Sequence, residues 1–324
     1  MPGMTMSTPR QPQFFQLYQP QPQVLHDELV TGLQATQAAL SPKYLYDALG
    51  SRLFEAICEL PEYYPTRIEA ALLQAHATAI AAQLPRGATL VDLGAGNCRK
   101  AASLFESLAP ARYVAVDISV DFLHNALGCL QREHPAMDMV GVGLDFSTEL
   151  ALPAQAGEGP RVLFYPGSSI GNFTPPEALD FLRQVRAAAQ GGGLLIGVDL
   201  VKPANILEPA YDDALGVTAA FNKNMLLRLN RLIDSDFCLS QWAHRAFFNR
   251  EQSRIEMHLK ALQDVTVRWP GGQRRFSAGE TIHTENSYKY QRDDFDALLR
   301  QAGFSRTEAW QDAQGWFAMF WAQD

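Results

Sequence analysis

The chain has 324 residues, 47% hydrophobic, 10% aromatic and 19% charged, an ordinary globular composition whose length suits one large domain with an insertion or two domains. A net charge of −8 and a pI near 5.4 argue against a general nucleic-acid binder and favour a small zwitterionic partner. Four scattered cysteines without a C-x-x-C pair suggest neither a disulfide framework nor a zinc site, and with no signal peptide and no apolar run near the ~20 residues that span a bilayer, a cytoplasmic protein with reduced thiols is expected.

Residues 1–13 are polar and Pro-rich, the composition of a disordered tail. Residues 24–40 have a helical pattern, and 45–60 form a second amphipathic segment with Leu49, Leu53, Phe54 and Ile57 on one stripe. Pro61 and Pro65 break helices on both sides, which predicts a rigid loop carrying Tyr63 and Tyr64. Thr66 followed by Glu69 reads as a capping box opening a third helix to about residue 84. Strands then alternate with helices: strand 88–93, helix 98–108, strand 113–117, helix 119–132, strand 137–144, strand 162–165, helix 175–189 and strand 194–200. That alternation predicts an α/β fold with a parallel sheet. It stops near Lys202. A helix over about 211–232 follows, then β-like segments at 238–249, 253–262, 264–269 and 280–290, with a turn at Pro270-Gly-Gly272. A helix at 294–302 and strands at 306–310 and 315–322 close the chain. Two units are expected: a sheet domain from 82–202 plus 291–324, and a second α+β lobe from 14–81 plus 203–290.

The first strand runs into Asp92-Leu-Gly-Ala-Gly96, a turn of the kind that cradles a nucleotide, because glycine lets the backbone approach a ligand where a Cβ would clash. The spacing is neither that of a triphosphate P-loop nor a full G-x-G-x-x-G, since Arg99 stands where a third glycine would be. An acid inside the turn repels a pyrophosphate and accepts from a cationic ligand. The turn resembles the first motif of the class I methyltransferases that use S-adenosylmethionine (SAM).

Asp117 ends the second strand, 21 residues after Gly96, where a carboxylate reaches both ribose hydroxyls; it is also placed to cap the next helix. Asp145 and Phe146 end the third strand, an acceptor for an adenine amino group with an aromatic beside the ring. Lys100 could pair with a methionyl carboxylate, or be a surface lysine. In this fold, the Gly167–Thr174 loop after the fourth strand faces the methyl group. There Asn172 offers one acceptor and two donors, a match to an amine and a carboxylate; an Asn in an ordinary turn is the alternative. The loop is not the Asn-Pro-Pro-aromatic loop of adenine and glutamine N-methyltransferases, which argues further against a nucleic-acid substrate. His258 and His283 are read as structural.

Six segments occur in order: Lys43-Tyr-Leu-Tyr-Asp-Ala-Leu-Gly-Ser51, Leu60-Pro-Glu-Tyr-Tyr-Pro-Thr-Arg67, Gly167-Ser-Ser-Ile-Gly-Asn172, Ala210-Tyr-Asp-Asp-Ala-Leu-Gly-Val-Thr-Ala-Ala-Phe-Asn222, Arg254-Ile-Glu-Met257 and Thr284-Glu-Asn-Ser-Tyr-Lys289. Together they resemble the histidine-specific N-alpha-methyltransferases of ergothioneine biosynthesis, from about residue 25 to the C-terminus. The resemblance implies a class I methyltransferase Rossmann-like sheet that moves three methyl groups from SAM to the α-amine of L-histidine, giving hercynine and S-adenosylhomocysteine (SAH), with no metal, no nucleic acid and no membrane, as a monomer. It implies that Tyr63, Asn172 and Tyr211 hold the amino acid's carboxylate and amine, with Tyr46 near the amine and Phe54 closing the pocket. Tyr46, Asn172 and Tyr63 then stand nearest the chemistry. Glu285 and Ser287 would bind the imidazole beside Met257; a Glu–Ser pair at i, i+2 on one strand meets both ring nitrogens from one face. Gly94 and Gly96 in the turn, with Lys100, Asp117, Asp145 and Phe146, would hold SAM. Two alternatives are an enzyme of the same architecture acting on another amino acid, such as a tryptophan derivative, and a SAM-binding module without turnover.

Overall fold

The computed structural model describes residues 10–118 and 120–324. The tail reading for residues 1–9 lies outside the described residues. From residue 10 the chain is placed on the body: the Arg10 N–H donates to Pro135 O at 3.1 Å, and β1 (Gln13–Gln16) forms an edge strand. Next come α1 (Pro22–Gln34), β2 (Ala38–Ala39), α2 (Ala48–Cys58) and α3 (Tyr64–Gln83). The alternating part contains β3 (Thr89–Leu93), α4 (Arg99–Ala102), α5 (Phe105–Leu108), β4 (Arg112–Asp117), α6 (Val120–Glu133), β5 (Asp138–Gly143), β6 (Arg161–Tyr165), α7 (Pro175–Ala188) and β7 (Gly193–Asp199). Then follow α8 (Ala204–Leu207), α9 (Val217–Leu232), β8 (Trp242–Asn249), β9 (Arg254–Ala261), β10 (Val265–Trp269), β11 (Gly272–Phe276) and β12 (Thr281–Tyr288), and α10 (Arg292–Gln301), β13 (Arg306–Gln311) and β14 (Phe317–Gln323) close the fold.

The large sheet has the order β1-β5-β4-β3-β6-β7-β14-β13. It is parallel from β1 to β7, and β14 runs antiparallel to both β7 and β13. Strands β3, β6 and β7 are buried along their whole length, as a sheet covered on both faces requires. One face carries α7 and α10, with Phe181, Leu182 and Phe295 against Val91, Val114 and Ile196. The other carries α3 and α6, with Leu72, Ile80 and Leu127 against Leu90, Tyr113 and Phe317. The smaller lobe is a four-stranded sheet, β2-β12-β9-β8, closed by α1, α2 and α9 around Leu33, Leu45, Met225, Leu229 and Trp242. No helix among the described residues is long and apolar enough to cross a membrane.

Several elements differ from the sequence expectation, each for a local reason. Residues 14–16, expected in the second lobe, belong to the large sheet; Gly141 of β5 leaves the room that Phe14 fills, since a Cβ there would lie 2.6 Å from the Phe14 ring. Helix α3 likewise packs on the large sheet rather than in the lobe. It starts at Tyr64, with Pro65 in the first turn where its missing N–H costs nothing, so Thr66 is already helical and caps nothing. The expected 98–108 helix divides into α4 and α5, where the Ser103 hydroxyl donates back to Lys100 O at 2.6 Å. The expected 211–232 helix begins only at Val217: Asp213 accepts from the N–H groups of Val217 (2.9 Å) and Thr218 (2.8 Å), leaving Tyr211 on a non-helical segment. The 264–276 stretch is a tight hairpin, with Pro270 and Gly271 (φ +85°) as its loop.

Candidate active site

The carboxyl ends of β3, β4, β5 and β6 open on a cavity of about 1140 Å³, lined by Gly94, Gly96, Lys100, Asp117, Asp145 and Phe146 among others. At its floor the turn after β3 runs through two left-handed glycines, Gly94 (φ +73°) and Gly96 (φ +51°), a conformation that favours glycine. The Gly96 N–H donates to Asp117 Oδ2 at 3.0 Å, so Asp117 braces the turn as well as facing the cavity. Asp92 is buried at the wall. One of its oxygens accepts from the Tyr113 hydroxyl at 2.8 Å and the other has no protein partner. Burial pushes this carboxyl up to about 7, against the pull of Tyr113. An orphaned buried acid with two further acids at adjacent strand ends fits a cationic ligand bearing hydroxyl and amino donors, and does not fit a pyrophosphate. SAM has the required chemistry. Asp145 accepts from the Ser147 N–H (3.2 Å), the Ser147 hydroxyl and Lys43 Nζ (3.4 Å).

Lys100 is less free than its sequence position suggests. Its ammonium lies 2.6 Å from Glu69, which is wholly buried and also accepts the Gly167 N–H at 2.7 Å. Glu69, expected to cap α3, instead ties that helix to the start of α4 and to the loop after β6. Burial lowers the Lys100 ammonium, but Glu69 overcomes this and holds it above the ordinary value. Because Asp117 both braces the turn and faces the cavity, Asp117→Ala is expected to weaken SAH binding by about 10- to 100-fold, measured by calorimetry, the scale of losing one or two charge-assisted hydrogen bonds. Unchanged SAH affinity would remove Asp117 from the cofactor site.

A smaller recess of about 40 Å³ adjoins the cavity and shares Tyr46, Phe54, Tyr63, Gly167, Ser169 and Asn172 with it. All eight residues assigned to the substrate line this recess: Tyr46, Phe54, Tyr63, Asn172, Tyr211, Met257, Glu285 and Ser287. They converge from distant segments. Tyr46 precedes α2, Phe54 lies on it, and Tyr63 precedes α3. Asn172 ends a 3₁₀ turn, Ser169–Asn172. A register shift between His283 and Glu285 sets Glu285 opposite Met257 and Ser287 opposite Ile255. Glu285 is buried, its Oε2 has no protein partner, and burial pushes its carboxyl up to about 7 while Lys289 pulls it down. The Tyr211 and Ser287 hydroxyls lie 2.8 Å apart. Burial raises the Tyr46 and Tyr63 hydroxyls well above their ordinary value, so both stay neutral donors at physiological pH.

The aromatic wall is wider than the sequence reading had it. Phe221 of α9 lines the recess and meets Tyr46 (centroids 5.5 Å) and Phe54 (6.0 Å); Phe54 meets Tyr63 (6.1 Å), and Tyr63 meets Tyr211 (6.1 Å). Phe221 stands in the 210–222 segment but had no polar group to draw a role. Lys43 and Ser169 also line the large cavity without having been assigned. His258 and His283 line neither cavity. They stack on each other (4.7 Å), and His258 bonds Glu256 at 2.9 Å. These three bring possible ligand atoms within 4.8 Å of one another. Arg254, 2.7 Å from Glu256, already balances that acid.

The family model described as "Histidine-specific methyltransferase, SAM-dependent" matches residues 25–324. The histidine N-alpha-methyltransferase of Mycolicibacterium smegmatis is 39% identical over 304 residues, covering 92% of this chain and 94% of that protein. Its counterpart in Mycobacterium tuberculosis is 38% identical, covering 91% and 93%. Ergothioneine biosynthesis protein 1 of Neurospora crassa is 30% identical, covering 82% of this chain and 31% of that longer protein. On a match that runs through both lobes and every segment lining the two cavities, the chain belongs to the SAM-dependent, histidine-specific methyltransferase family.

Proposed function

We propose that the protein transfers three methyl groups in succession from SAM to the α-amine of L-histidine, forming hercynine as a step toward ergothioneine. The observation that carries the choice of substrate is Glu285: a buried carboxylate oxygen without a protein partner, in a recess beside the cofactor cavity. Glu285 and Ser287 meet the two nitrogens of a neutral imidazole from one face of the strand that carries both. Such a polar floor disfavours an indole, which has one N–H and no ring acceptor. Tyr63, Asn172 and Tyr211 hold the carboxylate and amine, and Tyr46 faces the amine.

When bound, SAM supplies an electrophilic methyl carbon on a sulfonium. The protein's task is to deliver a neutral amine in line with that carbon. A free α-amine titrates near 8, so a neutral fraction exists at pH 7. The buried tyrosines, held as phenols, orient the amine rather than deprotonate it. Alignment of this kind is worth ~7–11 kcal/mol of barrier. The rings of Tyr46, Phe54, Tyr63 and Phe221 favour the quaternary ammonium product by ~0.5–2 kcal/mol each.

A division of labour belongs to the same reading, the large sheet holding SAM and the smaller lobe the amino acid. Four unpaired cysteines fit a reducing, cytoplasmic setting. Calorimetry of L-histidine against the SAH-bound protein tests the substrate, with L-tryptophan as control. Binding of histidine alone is expected; binding of tryptophan in its place would overturn the assignment.

A further inference from the structure

A buried ionic network stands behind the recess, and the reaction as described does not use it. Lys289 follows β12 and is 3% exposed. Its ammonium donates to Asp199 Oδ2 (2.8 Å), to the Tyr211 hydroxyl (2.9 Å) and to the Ser287 hydroxyl (2.8 Å), which uses all three hydrogens. Lys202 donates to Asp199 Oδ1 (2.5 Å), the Tyr64 hydroxyl (2.9 Å) and Leu200 O (2.5 Å). The Tyr64 hydroxyl completes the set by donating to Asp199 Oδ2 at 2.7 Å. Asp199 is wholly buried and Lys202 is 6% exposed.

Two features follow from this geometry. The network holds two ammonium groups against one hydrogen-bonded carboxylate, while Glu285 and Asp312 act on Lys289 and Lys202 only through space. Glu285 shares the recess but is hydrogen-bonded to neither lysine. A buried ammonium is costly unless negative charge answers it. The second feature is the hydroxyl hydrogens. Lys289 fills an acceptor position on both Tyr211 and Ser287, and these two share one hydrogen across 2.8 Å. One hydroxyl hydrogen is left, and it faces the recess. The wall therefore offers a donor backed by positive charge, and calls for an anionic acceptor.

We propose that Lys289 is a positioning residue that makes the pocket select its amino acid as the carboxylate anion, by fixing the Tyr211–Ser287 pair as a donor and setting a buried ammonium directly behind it. This rests on the reading that the substrate's carboxylate sits at Tyr211. The reacting form of the amino acid has a neutral amine, a neutral imidazole and an ionised carboxylate. Its negative charge meets the hydroxyl pair that the Lys289 ammonium backs.

The test compares kcat/KM for L-histidine and for L-histidinamide, its near-isosteric uncharged analogue, in the wild type, Lys289→Met and Lys289→Arg. The methionine variant leaves Asp199 paired with Lys202, so no buried charge is stranded. Wild type is expected to favour the acid over the amide by about 30-fold or more beyond their intrinsic reactivities, the scale of a desolvated charge contact. Lys289→Met is expected to bring the two within about threefold, through a higher KM for the acid alone, and Lys289→Arg to keep most of the preference. An equal loss for both substrates would mean that Lys289 only supports the fold, and would overturn the proposal. Wild-type turnover of acid and amide alike would overturn it whether or not the methionine variant folds. Absence of any histidine turnover or binding by the wild type would instead overturn the substrate reading on which it rests.

Discussion

Glu285→Gln is expected to weaken L-histidine binding by about 10- to 100-fold and, at pH 8, to stabilise the ligand-free fold by about 3 kcal/mol. The two effects have one cause. In the folded protein burial holds this carboxyl up to about 7, against an ordinary value of 4.5. The folded state therefore binds a proton more tightly than the unfolded chain. Stability is intact below about pH 4.5 and is lost as pH rises to 7, then stays lost above it. The isosteric amide carries no such penalty. The difference between variant and wild type should be near zero at pH 4.5, grow to pH 7 and flatten beyond, read from urea unfolding at several pH values. Histidine titrated into the SAH-bound variant gives the other half. A variant that is more stable at pH 8 but binds histidine as the wild type does would show a strained acid with no part in recognition. A variant unchanged in both would show that Glu285 is solvated.

The large sheet could be read almost strand for strand, because parallel strands buried on both faces are apolar runs and the helices between them are amphipathic. The carboxylates at the strand ends were visible for the same reason: Asp117 and Asp145 stand where an apolar run stops. What escaped depends on partners distant in sequence. The four residues of β1 carry too short a pattern to announce a strand; the room left by Gly141 makes one. Thr66 and Glu69 match a capping box, yet Glu69 is drawn into the interior by Lys100 and the Gly167 N–H, two groups that no local rule connects to it. Lys289 lies inside the Thr284–Lys289 segment. Its role depends on Asp199, ninety positions earlier, on Tyr211 and on Ser287, so it reads in sequence as one more lysine. The eight residues assigned to the substrate come from six separate stretches of chain. Periodicity could not have gathered them; the resemblance of whole segments did.

Asn172→Ala is expected to lower kcat by about 100-fold or more while leaving SAH affinity within about threefold. Asn172 lines both the recess and the large cavity, which on the proposed function puts its amide where amine and methyl donor would meet. The structure around it allows little movement. The turn that carries it enters through two left-handed residues, Gly167 (φ +77°) and Ser168 (φ +56°). The Ser168 hydroxyl accepts the Asp199 N–H at 2.8 Å. Gly171 lies against β12 so closely that a Cβ would meet Tyr288 O at 2.8 Å. Phe173 then stacks on Phe181 of α7 at 5.0 Å. The loop is thus fixed to β7, to the strand that bears Glu285 and Ser287, and to the face of the large sheet. Such bracing suits a group that sets an attack line, where an error of about 1 Å costs about 100-fold. Because the turn is held by its neighbours rather than by the Asn172 side chain, truncation should remove the alignment and leave the loop in place. Single-turnover rates at saturating SAM and histidine isolate the chemical step from binding. A fall in kcat with KM for SAM unchanged fits alignment. A wild-type rate in the alanine variant would remove Asn172 from the reaction and leave Tyr46 and Tyr63 to position the amine.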